Sequence, residues 1–418
     1  MRRNILSIVM ILLPVIAQAD PLLRNRDVVA VCGDSITEQR IYSMFIETYL
    51  LACKPRTGLR ADQFGWSGEV APAFATRIGS DVLPLHPTFA TLCYGMNDGH
   101  YTAMTPQTGD TFRAALKDVV VGLKKGGVRT MVIGSPGCVD STTFKRPSAT
   151  PDVYNETLQS LSDIAKDIAR ENDQPFADVH GIMMKVMADA KAKYGDKFAF
   201  AGNDGVHPQQ AGHLVMAYAF LKAMNCKGDI GTITLDFSMN QNIASDGHHI
   251  LSAQNNTVVI ESTRWPFCFL GDGKSANSER SVAQLFPFDP DLNRFMLIVK
   301  NLGPGQVRVT WNDQSKTYSA EALAKGINLA DEFIDENPFT TSIGDLEKLV
   351  SAQQEFETML TKTLLHNADE IKKSSPDAAP KVSNFLDSAL RLDDALFDAA
   401  QRKAQSPIRH TIKIEPVP

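Results

Sequence analysis

Short apolar runs alternate with amphipathic stretches of helical length between about residues 27 and 225. The clearest apolar runs cover residues 28–32, 89–93, 128–133 and 176–179. Stretches with helical spacing lie at residues 41–53, 108–125, 153–171, 182–193 and 209–224. Strands that are apolar throughout and separated by helices predict a parallel sheet covered on both faces. We therefore expect an α/β domain with a doubly wound parallel sheet.

The pattern changes after Cys226. Apolar runs at residues 257–260, 295–299 and 306–311 are separated by Gly, Asn, Asp and Pro, which is typical of strands joined by turns. We expect antiparallel strands here and assign residues 228–340 to a small β-rich module. The pair His248-His249 is interpreted as a solvated turn of this module.

Two further stretches have apolar positions at intervals of three and four residues, at 345–373 and 381–404. A turn-forming segment, residues 374–380, separates them, so residues 341–418 are predicted to form an α-helical hairpin and a tail. Each apolar stripe needs a partner surface. The hairpin is either a brace on the first domain or a dimerisation arm, and the sequence leaves the oligomeric state open.

The N-terminus has the features of a signal peptide over residues 1–19. A basic start precedes the apolar stretch at residues 5–16, and the small-x-small site Ala17-Gln18-Ala19 follows. The alternative, an uncleaved anchor, needs a longer apolar stretch. We expect a secreted or periplasmic protein with no stable membrane span after cleavage, whose first domain covers residues 20–227. Export leaves the pairing of the six cysteines open.

Composition and charge exclude several classes of partner. The chain has 418 residues, 43% of them hydrophobic, and a net charge of −6 with acidic and basic residues well mixed. No basic field is available for a polyanion, so we expect no nucleic-acid partner. The cysteine spacing matches no zinc pattern, and no metal site is predicted.

Three short motifs follow predicted strands or precede predicted helices, and each has an ordinary structural explanation. Ser35 in Gly-Asp-Ser is placed as a nucleophile would be, but such residues commonly cap helices. Asn97 could donate a hydrogen bond to an oxyanion, or simply form a turn. Asp204 and His207, three residues apart, suit an acid and a base, or a helix cap. The coincidence of all three within one α/β domain favours chemistry.

Together these motifs resemble those of the GDSL or SGNH hydrolase superfamily, over about residues 27–225. The resemblance implies a flavodoxin-like fold and an acyl-serine mechanism without cofactor or metal. It makes Ser35 the nucleophile, His207 the base and Asp204 its orienting acid. The implied oxyanion hole consists of the backbone N–H groups of Ser35 and Gly68 and the side-chain amide of Asn97. Ile36 replaces the leucine of the family name, which leaves the chemistry unchanged.

The substrate is less well defined than the reaction. Trp66, Tyr94 and Tyr101 flank the motifs and are either platforms for a sugar ring or packed rim residues. No long apolar lid indicates a lipase, so we expect an ester-bearing partner that is an acetylated carbohydrate. Lipase, arylesterase, thioesterase and O-acyltransferase activities remain alternatives, as does a non-catalytic carbohydrate-binding protein.

Overall fold

The computed structural model describes residues 22–55, 58–236, 238–374 and 376–417. The predicted signal peptide, residues 1–19, lies outside this part of the chain. None of the described helices combines the length and the apolar character that a membrane crossing requires. The segment limits drawn from the sequence stay predictions.

A five-stranded parallel sheet forms the centre of the first half of the chain. Its strands are β1 (Val28–Gly33), β2 (Arg60–Gln63), β3 (Phe89–Cys93), β4 (Thr130–Gly134) and β5 (Phe176–Ala177). They lie in the order β2-β1-β3-β4-β5, and every neighbouring pair is parallel. From β1 the chain first runs to β2 on one side and then crosses back to β3 on the other side of β1. The strand order therefore reverses between β1 and β3, which is a topological switch point. This order confirms the doubly wound, flavodoxin-like prediction.

Among the described residues, seven α-helices belong to the same half of the chain as this sheet. They are α1 (Ser35–Glu38), α2 (Ile41–Thr48), α3 (Ala71–Arg77), α4 (Pro106–Lys125), α5 (Pro151–Glu171), α6 (Val179–Tyr194) and α7 (Gln210–Ala223). Along β1, Val29 and Val31 join one apolar core while Ala30 and Cys32 join the other. Burial on both faces explains why the strand is apolar throughout rather than alternating.

The next part of the chain contributes strands to two sheets. The elements are β6 (Asp229–Leu235), β7 (Ile243–Ala244), β8 (His248–Gln254), β9 (Thr257–Ser262), α8 (Phe288–Leu292), β10 (Arg294–Val299), β11 (Gln306–Trp311), β12 (Gln314–Ser319), α9 (Ala320–Lys325), β13 (Ile327–Asn328) and α10 (Leu329–Glu332). One sheet has the order β13-β10-β6-β7. The outer pairs, β10 with β13 and β6 with β7, are antiparallel as expected, whereas the expectation is wrong for the central pair, β6 and β10, which is parallel. The long connection between the two strands permits the parallel crossover.

The C-terminal part contains the predicted helical hairpin. It consists of α11 (Thr340–Met359), a π-helical segment (Leu360–Leu365), α12 (His366–Ser374), a short turn (Pro376–Ala378) and α13 (Ala379–Ala404). The tail then forms β14 (Ile408–Pro416), which the sequence analysis did not indicate. This strand lies at the centre of an antiparallel sheet, β12-β11-β14-β9-β8, so the end of the chain completes the β-rich module.

Buried polar contacts join the hairpin to the first domain. Ser43 Oγ donates to Gln354 Oε1 at 2.6 Å, and Gln354 Nε2 donates to Glu47 at 2.9 Å. The backbone N–H of Gln63 in β2 donates to Glu357 at 2.8 Å. Buried polar groups that find hydrogen-bond partners in the other unit tie the two units together. These contacts favour the brace over the dimerisation arm.

A chain of buried hydrogen bonds connects the two sheets of the β-rich module. Trp311 Nε1 donates to His410 Nδ1 at 3.0 Å, and His410 Nε2 lies 2.9 Å from Ser262 Oγ. Ser262 Oγ lies 2.8 Å from His248 Nδ1, and His248 Nε2 lies 3.0 Å from the carbonyl oxygen of Ile230. With both rings neutral, every donor has an acceptor. His248 is therefore a buried strand residue, and its interpretation as a solvated turn is wrong.

This network predicts a pH-dependent stability that can be measured at His410. Burial, together with the nearby His248, lowers the pKa of His410 from 6.5 to about 3. Between these two pKa values the unfolded chain binds a proton at His410 and the folded chain does not. The contribution of neutral His410 to the unfolding free energy is therefore complete above pH 6.5 and is lost as the pH falls towards 3. We expect the difference in unfolding free energy between wild type and His410→Gln to shrink over that range in urea titrations.

The matched control is His249→Gln, because His249 is exposed on the same strand. Its imidazole takes no part in the buried network, so this variant should stay close to wild type in unfolding free energy. Many carboxyl groups also titrate in this range, and subtracting the variant from wild type removes their common contribution. A His410→Gln difference that did not change with pH would contradict the neutral, buried network.

Candidate active site

Ser35 lies where the switch point of the sheet predicts a ligand site. It follows the carboxyl end of β1 and is the first residue of α1, whose N-cap is Asp34. The Asp34 side chain accepts a hydrogen bond from the N–H of Ile36 at 2.9 Å, which holds the strand-to-helix turn. The hydroxyl oxygen of Ser35 lies 2.7 Å from His207 Nε2, across 172 positions of sequence.

His207 is held by Asp204 in the orientation that contact with Ser35 requires. Its Nδ1 lies 2.6 Å from Asp204 Oδ2. A carboxylate only accepts hydrogen bonds, so Nδ1 carries the proton and Nε2 of the neutral ring accepts from the Ser35 hydroxyl. The other carboxylate oxygen accepts from the backbone N–H groups of Val206 and His207, each at 3.0 Å.

The carboxylate of Asp204 stays ionised in this setting. Partial burial alone would raise the pKa of Asp204, but hydrogen bonds from His207 and Val206 outweigh it and hold the pKa below its ordinary value. The side chains of His207 and Asp204 are 35% and 45% exposed. The group is therefore open to solvent, with its negative charge beside the ring nitrogen that would become cationic.

The loop with Gly68 is tied to the same end of β1. The Trp66 N–H donates to the carbonyl oxygen of Gly33 at 3.0 Å, and the Ser67 N–H donates to the Glu38 carboxylate. Gly68 itself is exposed and has a φ of +74°, a conformation that residues with a Cβ rarely adopt. The open backbone of Gly68 thus lies on a loop anchored both to β1 and to the helix that begins with Ser35.

Asn97, after β3, has a fixed amide orientation. The Tyr101 hydroxyl donates to Asn97 Oδ1 at 3.0 Å, and Asn97 Nδ2 donates one hydrogen to the carbonyl oxygen of Glu69 at 3.0 Å. The second hydrogen on Nδ2 remains to serve a bound group. Because Glu69 directly follows Gly68, this contact brings the Asn97 amide beside the glycine loop. The structure therefore joins Ser35, Gly68, Asn97, Asp204 and His207 at one rim of the sheet.

Two buried acids, Asp34 and Asp98, accept hydrogen bonds from the backbone around the site. Burial raises the pKa of Asp34 to about 7, with Asp98 and Glu69 adding to the effect. Burial likewise raises the pKa of Asp98 to about 6, although its carboxylate accepts from the backbone N–H groups of Ala71 and Gly95. These side chains fix the backbone of three segments around the site.

For the flanking aromatic residues, the sequence left two alternatives, platforms for a sugar ring or packed rim residues. Tyr94 is 1% exposed and donates to Glu69 at 2.7 Å, so its assignment as a platform is wrong. The Trp66 ring has the Arg77 guanidinium 5.1 Å from its centroid and the Lys362 ammonium at 4.7 Å. Trp66 is thus packed among cations. Tyr101 acts on Asn97 through its hydroxyl, a contact that residue order alone could not indicate.

Lys362 is a residue near the site that sequence reasoning missed. It comes from the π-helical segment of the hairpin, and its ammonium lies 2.6 Å from Glu38 Oε1. Partial burial acts to raise the pKa of Glu38, but the hydrogen bond from Lys362 leads the contacts that lower it below its ordinary value. The other oxygen of Glu38 holds the Ser67 N–H. The hairpin therefore reaches the glycine loop through one carboxylate.

A cluster of carboxylates away from the rim has the spacing of metal ligands. Among the described residues, Asp62, Glu357 and Asp393 are the group close enough to share an ion. The Arg60 guanidinium lies among them, at 2.6 Å from Asp62, 2.6 Å from Asp393 and 3.7 Å from Glu357. Its charge already pairs with these acids, so we interpret the cluster as an ion-pair network between β2 and the hairpin.

Comparison with known families agrees with this geometry. Residues 31–215 match the model of the GDSL-like lipase/acylhydrolase family. This segment belongs to that family. The match begins in β1 and ends in α7, so the GDSL domain contains every residue of the rim described above. An acylhydrolase cleaves the bond between an acyl group and its carrier, and the domain is that of a carboxylic ester hydrolase.

Two relatives extend the comparison. The chain is 25% identical over 187 residues to an acetylxylan esterase from Geobacillus stearothermophilus, a match that covers 43% of this chain and 79% of that protein. A solved structure of a gut microbial diltiazem-metabolizing enzyme superposes with a TM-score of 0.71 at 22% identity, over 94% of this chain and 98% of that chain. The second comparison shows a shared fold that includes the β-rich module and the hairpin.

A solved structure of a catalytic mutant of the Geobacillus stearothermophilus acetylxylan esterase also matches. It has a TM-score of 0.40 and 22% identity, over 48% of this chain and 95% of that chain.

Proposed function

We propose that the chain is an exported serine esterase that removes O-acetyl groups from carbohydrate. The observation that carries the proposal is the continuous hydrogen-bonded series from the Ser35 hydroxyl through His207 to Asp204. In this mechanism His207 takes the Ser35 proton while the serine oxygen attacks the ester carbon. Asp204 stabilises the imidazolium that forms, and His207 then delivers the proton to the leaving alcohol.

The tetrahedral intermediate needs donors that are already in place. The free hydrogen of Asn97 Nδ2 and the backbone N–H groups of Ser35 and Gly68 supply them in this proposal. The Glu69 carbonyl oxygen prevents the Asn97 amide from turning over, because a flipped amide would point its oxygen at another acceptor. Water activated by His207 then attacks the acyl-serine, and the acid leaves with Ser35 restored.

Two observations support an acetylated carbohydrate as the substrate. The related Geobacillus stearothermophilus protein is an acetylxylan esterase. The half-exposed His207 and Asp204 leave the site open, so an acetyl group carried on a large polymer can reach Ser35 without entering a tunnel. The basic start and apolar stretch of residues 1–19 support export.

A fluorophosphonate probe combined with a substrate panel tests this function. An activated serine attacks the phosphorus and expels fluoride, so the probe should label wild type and should not label Ser35→Ala. Acetate release from acetylated xylan should stop when the probe has reacted, and p-nitrophenyl acetate should be hydrolysed faster than long-chain esters. Equal labelling of the two proteins would contradict the assignment of Ser35, and a preference for long acyl chains would contradict the substrate class.

Lys362 is expected to affect catalysis by positioning the glycine loop. Replacing it by methionine keeps the length of the side chain but leaves the Glu38 carboxylate without its cation, which loosens the Ser67 and Gly68 backbone. Small misplacements of catalytic groups are costly, and we expect roughly a tenfold fall in kcat with a smaller change in KM. Steady-state kinetics with p-nitrophenyl acetate measure both constants.

Lys362→Arg should restore most of the lost kcat, because it keeps the charge. Lys348→Met is the matched control, since Lys348 is an exposed residue of α11 paired with Asp345. If Lys362→Met lowered the melting temperature but left kcat unchanged, the lysine would hold only the hairpin.

A further inference from the structure

A groove lies beside the chain segment that carries Asp204 and His207. It has a volume of about 720 Å³ and is lined by the loop of residues 144–151 and by Val153 at the start of α5. The Phe144 backbone lies against Gly205, where a Cβ would meet the Phe144 Cα at 2.2 Å. Gly205 lies between Asp204 and His207 in the chain. One wall of the groove is therefore in contact with the segment that carries the acid and the base.

The same loop contacts the opposite half of the site. The Arg146 guanidinium lies 5.3 Å from the centroid of the Tyr101 ring and 5.9 Å from that of Phe144. Ser148 Oγ donates to the carbonyl oxygen of Tyr101 at 2.6 Å. Since the Tyr101 hydroxyl contacts Asn97, only one side chain separates Arg146 from the amide proposed for the oxyanion hole.

The groove is positively charged, and no carboxylate of the described residues forms an ion pair with its basic side chains. Its lining residues include Lys145 and Arg146 and no aspartate or glutamate. Within the described parts of the chain, the polar contact of the Arg146 guanidinium is the carbonyl oxygen of Lys145, at 3.3 Å. Arg60 and Arg77, by contrast, are neutralised by carboxylates. Stacking on two rings holds the Arg146 fork in place while its remaining N–H donors face solvent.

A planar guanidinium with free donors suits a carboxylate, which it can bind through two parallel hydrogen bonds. We propose that this groove binds a uronic acid unit of the substrate, with Arg146 pairing with the sugar carboxylate while the acetyl group of a neighbouring position lies at Ser35. The inference rests on the proposed function and assigns its substrate to the acidic acetylated carbohydrates.

The test compares two substrates that differ in the carboxylate. O-acetylated oligogalacturonides and O-acetylated xylo-oligosaccharides are assayed by acetate release, and the ratio of their kcat/KM values is the measured quantity. We expect Arg146→Ala to lower the ratio of the acidic to the neutral substrate about tenfold, the size of one moderately strong ionic contact. Arg146→Lys should lower it less, because a point charge remains, and added salt should lower it in wild type by screening.

Arg308→Ala is the matched control, because Arg308 is an exposed arginine on β11. It should leave the ratio unchanged. A ratio that Arg146→Ala leaves at the wild-type value would overturn the uronic acid site and leave the esterase assignment standing. If wild type hydrolysed p-nitrophenyl acetate but neither oligosaccharide, the carbohydrate function and this inference would both be wrong.

Discussion

Replacing Ser35 by alanine is expected to lower kcat for p-nitrophenyl acetate by about 10⁵-fold or more, the scale seen when a serine nucleophile is removed. The hydroxyl whose oxygen lies 2.7 Å from His207 Nε2 is lost, so no acyl-enzyme can form. Alanine is small enough to leave the turn after β1 intact. Because Asp34 rather than Ser35 caps α1, the melting temperature should stay within a few degrees of wild type.

Ser160→Ala is the control for this prediction, since Ser160 is a half-buried residue of α5 whose hydroxyl donates to the Glu156 carbonyl oxygen of the same helix. It should keep wild-type kinetics. If purified Ser35→Ala retained a tenth of the activity, the nucleophile would have to be another residue.

Replacing Asp204 by asparagine is expected to lower kcat by about 10⁴-fold with little effect on folding. The Asn oxygen can still accept from the Val206 and His207 N–H groups, so the turn is retained. Its amide nitrogen, however, would donate to His207 Nδ1, which moves the ring proton to Nε2. The ring could then no longer accept the Ser35 proton.

Kinetics at several pH values, compared with those of Asp398→Asn, check this prediction. Asp398 is exposed on α13, and its replacement should not alter kcat. An Asp204→Asn variant with more than a tenth of wild-type activity would mean that the contact with His207 does not set the tautomer.

The fold and rim of the GDSL domain could be predicted from the sequence because their signals are local. Strands β1 and β3 are apolar on both faces, and such runs are distinctive. Ser35 and Asn97 come directly after these strands, and the carboxyl ends of adjacent parallel strands meet at one edge. The parallel pairing of β1 and β3 therefore brings Ser35 and Asn97 to the same edge of the sheet although they are far apart along the chain.

Strand β2 could not be predicted in this way. Its residues, Arg60 to Gln63, are mostly polar, and a polar stretch normally indicates a surface loop. They are buried because α11 and α13 cover them and supply partners such as Glu357 and Asp393. The pattern is explained only by residues about 300 positions later. For the same reason the contact between Lys362 and Glu38 has no signal in the sequence.

The tail strand β14 and the histidine network are also long-range features. β14 pairs with β9 and β11, and neither pairing is visible in its own residues. The sequence analysis places His248 in a solvated turn, whereas the structure buries it. Its burial follows from the partners that Ser262 and Ile230 provide. Buried polar groups are predicted poorly when their partners come from other elements.

Trapping the acyl-enzyme tests the central claim most directly. Wild-type protein is mixed with p-nitrophenyl acetate, quenched with acid within the first turnover and digested for mass spectrometry. We predict one acetyl group on the peptide that contains Ser35, bound to that residue, and none on the same peptide from Ser35→Ala. An acetyl group on another residue, or none in wild-type protein that is turning over, would contradict an acyl-serine at position 35.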